Sequence, residues 1–310
     1  MTKAAAILAP DFEVHEGSEL IMRLGIGLTV FLPTPFEDVR QDIWQLWQKY
    51  VDMVGKDTFT WARLGGGNRS RNVNASVFKT IEAWLTGTKS YGKDCWISIN
   101  DGPMDCLGRN SFELEGLRKS TGTNQKSGHL DIGFPLNLLQ ERGGPALADA
   151  LVSLVEDTRF LCGTAGFIFH RSPYKFNATI GKMAALSRRF EGVEVTASAR
   201  EHYWAQKGLV TVNWITLLGS QLVDQSGGVE KLSKQLASGV RVISLEHGLA
   251  IQSGKEPLLG DRNSGKDELG LLRKTYRVLK PLQFVDPVYE FDPFEFDGER
   301  TAEWLQRLSP

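Results

Sequence analysis

The 310-residue chain predicts an α+β fold, with mixed or antiparallel sheets flanked by helices. Three observations carry this. Strand-like runs follow one another directly between 94 and 135, helical runs stand apart from them, and no regular strand–helix alternation spans the chain. A helix-then-strands rhythm in both halves fits two similar lobes, with a break near 135–160. Residues 1–18 read as an N-terminal arm, 19–284 as the α+β domain and 285–310 as a C-terminal tail.

"LIMRLGIGLTVFL" reads as the first strand, and "TPFEDVRQDIWQLWQKYVDMVG" as a helix. Thr34 and Glu37 present a capping-box pattern, Pro35 suits the first helical position, and Gly55 ends the run. Ile43, Leu46, Trp47, Tyr50 and Val51 recur three and four apart and define a face to bury, with Trp44 at its edge. "TFTWARL" predicts a strand, followed by a glycine-rich turn and a helix in "ASVFKTIEAWLTG". "DCWISIN", "SFELEGL" and "GHLDIGFPL" predict three further strands. After Pro135, "LNLLQER" and "GPALADALVSLVEDT" are helical, separated by Gly143 and Gly144.

"FLCGTAGFIF" is a β-rich apolar run whose internal glycines imply a bulge or a close backbone approach. "GKMAALSRRFEG" and "GGVEKLSKQL" read as helices, and "LVTVNWITLLG" as a strand leading into one. "GVRVISLEHGLAIQSG" predicts a hairpin turning at "EHG", and "ELGLLRKTYRVLKPL" a last helix stopped near Pro281.

Composition excludes several classes. A net charge of −1 gives no global field for nucleic acid or a membrane surface, so electrostatic function must be local. Three widely spaced cysteines without a CxxC pair argue against a disulfide framework or zinc site and suit a reducing cytoplasm. The apolar run before Pro10 is too short for a signal peptide, and no stretch approaches the ~20 apolar residues of a membrane span. Five scattered histidines and the absence of a GxSxG elbow leave no catalytic or metal constellation, and no cofactor is expected. Cys162 and most of the eight tryptophans read as core.

Two loops invite chemistry. In "RLGGGNRSRN" the glycine amides with Arg63, Arg69 and Arg71 could cradle a phosphate, but neither GxGxxG nor GxxxxGK[ST] is present, and a surface turn is the plainer reading. In "EPLLGDRNSG", Gly260, Asp261 and Asn263 are turn chemistry with a single acid.

The tail is the third motif. From Val285 to Glu299, Asp286, Glu290, Asp292, Glu295, Asp297 and Glu299 stand without a basic residue, interspersed with Tyr289, Phe291, Phe294 and Phe296. In an extended chain the rings take one side and the carboxylates the other, so the rings could anchor while the acids meet a basic partner. A solvated strap is the bland alternative.

Three segments in order, "FLCGTAGFIF", "VNWITLLG" followed by Gly227 and Gly228, and "HGLAIQSGKEPLLGDRN", resemble the type VI secretion immunity proteins that neutralise VRR-Nuc nuclease effectors. The likeness covers roughly 20–282, so the tail falls beyond it. It implies a cytoplasmic, non-enzymatic protein that binds its cognate toxin and covers the active site. Gly163, Gly166, Asn213, Trp214, Gly254, Pro257, Gly260 and Asp261 carry the likeness and read as fold determinants. Two alternatives stand beside it: a binder of, or enzyme on, a phosphorylated small molecule at 63–72, and an adaptor that loads an effector.

Overall fold

The computed structural model describes residues 12–65, 70–92, 94–103, 107–118, 127–172, 176–195, 204–236, 238–284 and 304–309. The described strands are β1 (Glu13–Glu16), β2 (Glu19–Leu32), β3 (Trp61–Leu64), β4 (Arg71–Asn72), β5 (Cys95–Asn100), β6 (Ser111–Gly116), β7 (Gly128–Phe134), β8 (Cys162–Arg171), β9 (Ile215–Gly219), β10 (Val240–Leu245) and β11 (Gly248–Ser253). They form one antiparallel sheet in the order β10-β11-β9-β8-β2-β7-β6-β5-β3-β4, with β1 paired to β2. The helices are α1 (Arg40–Val54), α2 (Ala75–Leu85), α3 (Asn137–Val155), α4 (Phe176–Arg189), α5 (Ser220–Gln225), α6 (Val229–Gln235) and α7 (Gly270–Leu279). The α+β expectation holds, and a single sheet runs through both halves of the chain.

The 14-residue β2 is the spine, pairing β8 along one edge and β7 along the other. Its residues Met22, Leu24, Ile26, Leu28, Val30 and Leu32 are buried and point to what we term the inner face. Phe112, Leu114, Leu130, Ile132 and Phe134 continue that face on β6 and β7. Helix α1 covers it as its periodicity predicts. Ile43, Leu46, Trp47 and Tyr50 are buried, while Val51 and Trp44 are half-buried at the margin. Trp47 meets Phe112 with ring centroids 4.8 Å apart, and Tyr50 meets Phe134 at 5.4 Å. Each such side chain contributes about 1.5–3 kcal/mol by leaving water.

Helix α2 starts where Asn74 accepts hydrogen bonds from the Ser76 and Val77 amides. Helix α3 is interrupted at Gly143 (φ 72°, ψ 158°), the break expected from the glycine pair.

Two expectations are corrected. Residues 13–16 are not a loose arm: they form β1, joined to β2 through Gly17 at φ 61°, and Glu13 faces Arg23 across the hairpin. Residues 1–11 of that arm lie outside the described residues. The capping box does not form either. Phe36 is fully buried and heads a 3₁₀ turn, Phe36–Asp38, so α1 begins only at Arg40 without a side-chain cap. Glu37 instead accepts a 2.8 Å hydrogen bond from the Tyr91 hydroxyl.

Candidate functional site

Opposite α1 and α2 lies the outer face of the sheet, built from the alternate residues of the same strands. Cross-strand register assembles three rows there. Trp61, Asn100, Ser111, Gly133, Gly27 and Gly166 form the first. Arg63, Ser98, Glu113, Asp131, Thr29, Thr164 and Thr216 form the second. Trp96, Glu115, His129, Phe31 and Cys162 form the third. The rows are polar from β3 to β7, where Trp61, Arg63, Trp96, Ser98, Glu113, Glu115 and Asp131 are all half-buried. Beyond β2 they are closed over: Thr29, Thr164, Thr216 and Cys162 are buried.

The open part is electrostatically mismatched. Glu113 and Asp131 stand directly opposite one another on adjacent strands. Ser98 donates to Glu113 at 3.2 Å and Thr29 to Asp131 at 2.6 Å. His129 lies 3.6 Å from Glu115 and 3.9 Å from Asp131. Desolvation, with the Asp131 charge adding to it, pushes the Glu113 carboxyl above its ordinary range, against opposing pulls from Ser98, His129 and Arg171.

At one end of the face His170 fills a hollow over Gly25 and Gly133, neither of which has room for a Cβ. Burial, reinforced by Arg23, takes its imidazole down to about 3. The ring is therefore neutral, with Nε2 donating to the Ile26 carbonyl at 3.0 Å.

In the C-terminal half of the chain carboxylates are held in ion pairs with arginine. Glu194 pairs with Arg307 at 3.3 Å, and the two side chains are only 2% and 7% exposed. Glu191 pairs with Arg273 and, at 3.0 Å, with Arg262. Arg307 also donates to the Glu191 carbonyl, and its guanidinium lies 3.8 Å from the Trp304 ring centroid. These contacts fasten 304–309 to the body beside an open cavity of about 680 Å³ lined by Asp261, Lys266 and Arg277 among others. Before the tail, Leu209 and Phe284 exchange backbone hydrogen bonds with their neighbours across a short bridge. The C-terminal tail thus has anchored residues on both sides of 285–303. The residues between, including Asp286, Glu290, Asp292, Glu295, Asp297, Glu299, Tyr289, Phe291, Phe294 and Phe296, lie outside the described residues.

Arg63 and Arg71 do not converge. Arg71 pairs with Ala62 on the inner side, whereas Arg63 projects from the outer face with its guanidinium 5.4 Å from the Trp96 ring centroid. Arg69 lies outside the described residues. Among the described residues, no group of three or more His, Cys, Asp or Glu is arranged to hold a metal ion.

The glycine and turn residues act structurally. Gly163 passes against the Thr29 carbonyl and Gly166 against Asn213. Asn213 accepts from the Trp214 amide at 2.7 Å, and the Trp214 indole donates to the Gly254 carbonyl at 3.0 Å. Asp261 accepts from the Asn263 amide at 3.0 Å and holds Arg189 through two bonds of 3.0 and 2.8 Å. The acidic sheet face is not among the sites that sequence reasoning finds. Its signal is the alternation of Phe112 and Leu114 with Glu113 and Glu115 in β6.

The protein is thus a one-sheet α+β fold whose outer face is buried in one half and left polar in the other. The family described as "Type VI immunity for VRR-NUC" (TsiV) matches residues 42–308, and the chain belongs to it. That match runs past 282, so 285–303 falls inside the family region rather than beyond it. No curated protein matches the chain. Among solved structures, the Pseudomonas aeruginosa T6SS protein PA0821 is similar, with a TM-score of 0.82 and 18% identity over 99% of this chain and 91% of that one. At that identity the likeness shows the fold.

Proposed function

We propose that this chain binds a cognate VRR-Nuc nuclease effector and blocks its active site stoichiometrically, as a non-enzymatic antitoxin acting in the cytoplasm without a cofactor. The family match over 42–308 is the observation that carries this reading. Physical chemistry supports it. A nuclease must hold a polyanion, so its substrate surface is cationic, and a blocker gains by presenting carboxylates with aromatic anchors. The chain is near neutral overall yet locally acidic, on its outer sheet face and in 285–303. In this reading the acids from Asp286 to Glu299 contribute to the contact, with Tyr289, Phe291, Phe294 and Phe296 as anchors. The chain touches neither nucleic acid nor membrane, and no helix among the described residues is long and apolar enough to cross a bilayer.

The test is to co-express the chain with the nuclease domain of its cognate effector, purify through a tag on one partner, and assay the recovered effector for DNA cleavage. A stable complex that no longer cleaves supports the proposal. A stable complex that still cleaves points to an effector-loading adaptor, and absence of a complex rejects both.

A further inference from the structure

The proposed function leaves open which surface of this chain meets the effector. Resting on that reading, we propose that the outer face of β5, β6 and β7 docks onto the cationic nucleic-acid-binding surface of the nuclease. This face bears Glu113, Glu115 and Asp131, with Trp61 and Trp96 to one side of them.

The first argument is access. Along β6 the inner residues Phe112 and Leu114 are fully buried, whereas the outer residues Ser111, Glu113 and Glu115 keep part of their surface in solvent. The Glu115 and Asp131 side chains are 31% and 25% exposed. The second is register. Like charges directly opposite on adjacent strands destabilise a sheet, yet Glu113 and Asp131 occupy such a pair. Hydroxyls from Ser98 and Thr29 and the ring of His129 surround them and Arg171 pulls on Glu113 electrostatically, while Arg63 sits one strand further out, over Trp96. Elsewhere in the chain buried carboxylates are treated differently: Glu194 and Glu191 are each held by arginine. A local rule broken without full compensation inside the chain marks a site whose compensation comes from outside.

The third argument is complementarity. A cationic partner would relieve the Glu113–Asp131 repulsion, so binding gains from a mismatch that folding leaves standing. Trp61 and Trp96, on β3 and β5 in the first and third rows, supply apolar area on one side of the acids, the kind of anchor around which interfaces concentrate their energy. The strands are rigid, so docking immobilises little.

The experiment compares the native chain with Glu113→Gln, Asp131→Asn and the triple variant that adds Glu115→Gln. Affinity for the effector's VRR-Nuc domain is measured by calorimetry at low and high salt. The expected result is a loss of about tenfold or more in the triple variant at low salt, shrinking as salt rises. The melting temperature should hold or rise. An affinity unchanged within about twofold, with an unchanged salt slope, overturns the inference while the native chain still inhibits. If the native chain forms no complex, the proposed function itself fails, and this inference with it. Oxidative footprinting of the native complex gives a check independent of variant folding. Protection of Trp61 and Trp96 supports the docking face, and unaltered labelling of both contradicts it.

Discussion

Carboxylates stand at low exposure in both halves of this chain, and the two halves treat them in opposite ways. In the C-terminal half Glu194 is sealed against Arg307, and the neighbouring Glu191 is held by Arg273 and Arg262. In the N-terminal half Glu113 faces Asp131 in a half-buried row with hydroxyls, one imidazole and the electrostatic pull of Arg171 for company. The first arrangement is what a fold requires of a buried charge: an opposite charge and hydrogen bonds. The second leaves favourable energy unused. The difference separates a region that builds the protein from one with room for a partner.

The largest effect should come from breaking the sealed side. Arg307→Ala leaves Glu194 buried without its counter-charge and should lower stability by about 3–5 kcal/mol. Chemical denaturation measures this, and a loss below about 1 kcal/mol would show that the sealed pair is not the anchor of 304–309. Next is the hollow at the end of the open side. Gly133→Val places a branched side chain against His170 and Ser111, and should cost about 1–3 kcal/mol through overpacking. A thermal melt reads the shift.

On the open side the sign reverses. Glu113→Gln removes a repelled carboxylate and should raise stability by about 0.5 kcal/mol at neutral pH while weakening effector binding. A fall in melting temperature would mean that the acid ladder is structural after all.

The pH dependence sharpens the contrast. The Glu113 carboxyl takes up its proton at higher pH in the native chain than in the unfolded one, whose ordinary value is 4.5. Between those points the native state binds more protons, so this group's contribution weakens as pH rises. His170 acts the other way. It stays neutral down to about 3 when folded but protonates near 6.5 when unfolded, so its contribution is lost as pH falls from 6.5 toward 3. Stability–pH curves of Glu113→Gln and His170→Gln should therefore lose slopes of opposite sign. The smallest expected effect is neutralising Glu290, Asp292, Glu295 and Asp297, which should weaken effector binding modestly and mainly at low salt.

Much of the fold is legible in the sequence because periodicity reports local structure directly. The spacing of Ile43, Leu46, Trp47 and Tyr50 sets the buried face of α1, and Gly143 marks the break in α3. The two departures have local causes. Gly17-Ser18 is a two-residue hairpin turn, hard to see in sequence because the strand before it has only four residues. The Thr34 capping pattern is overridden by burial of Phe36.

The site is much less legible. Glu113 and Asp131 are brought together by the pairing of β6 with β7 across 117–127, and no local pattern states that register. The sequence points instead to 285–303, where acids crowd along the chain. Arg63 and Arg71 illustrate the converse: neighbours along one loop, they fall on opposite sides of the hairpin. Proximity in sequence is a poor guide to a surface assembled by a sheet.

Inhibition by binding is tested by titrating the effector's nuclease domain with this chain while following DNA cleavage. Stoichiometric blocking gives a linear loss of activity that ends at one chain per nuclease, with no recovery over time. Cleavage that persists at saturating chain, or that is lost at catalytic amounts of it, would rule out stoichiometric blocking.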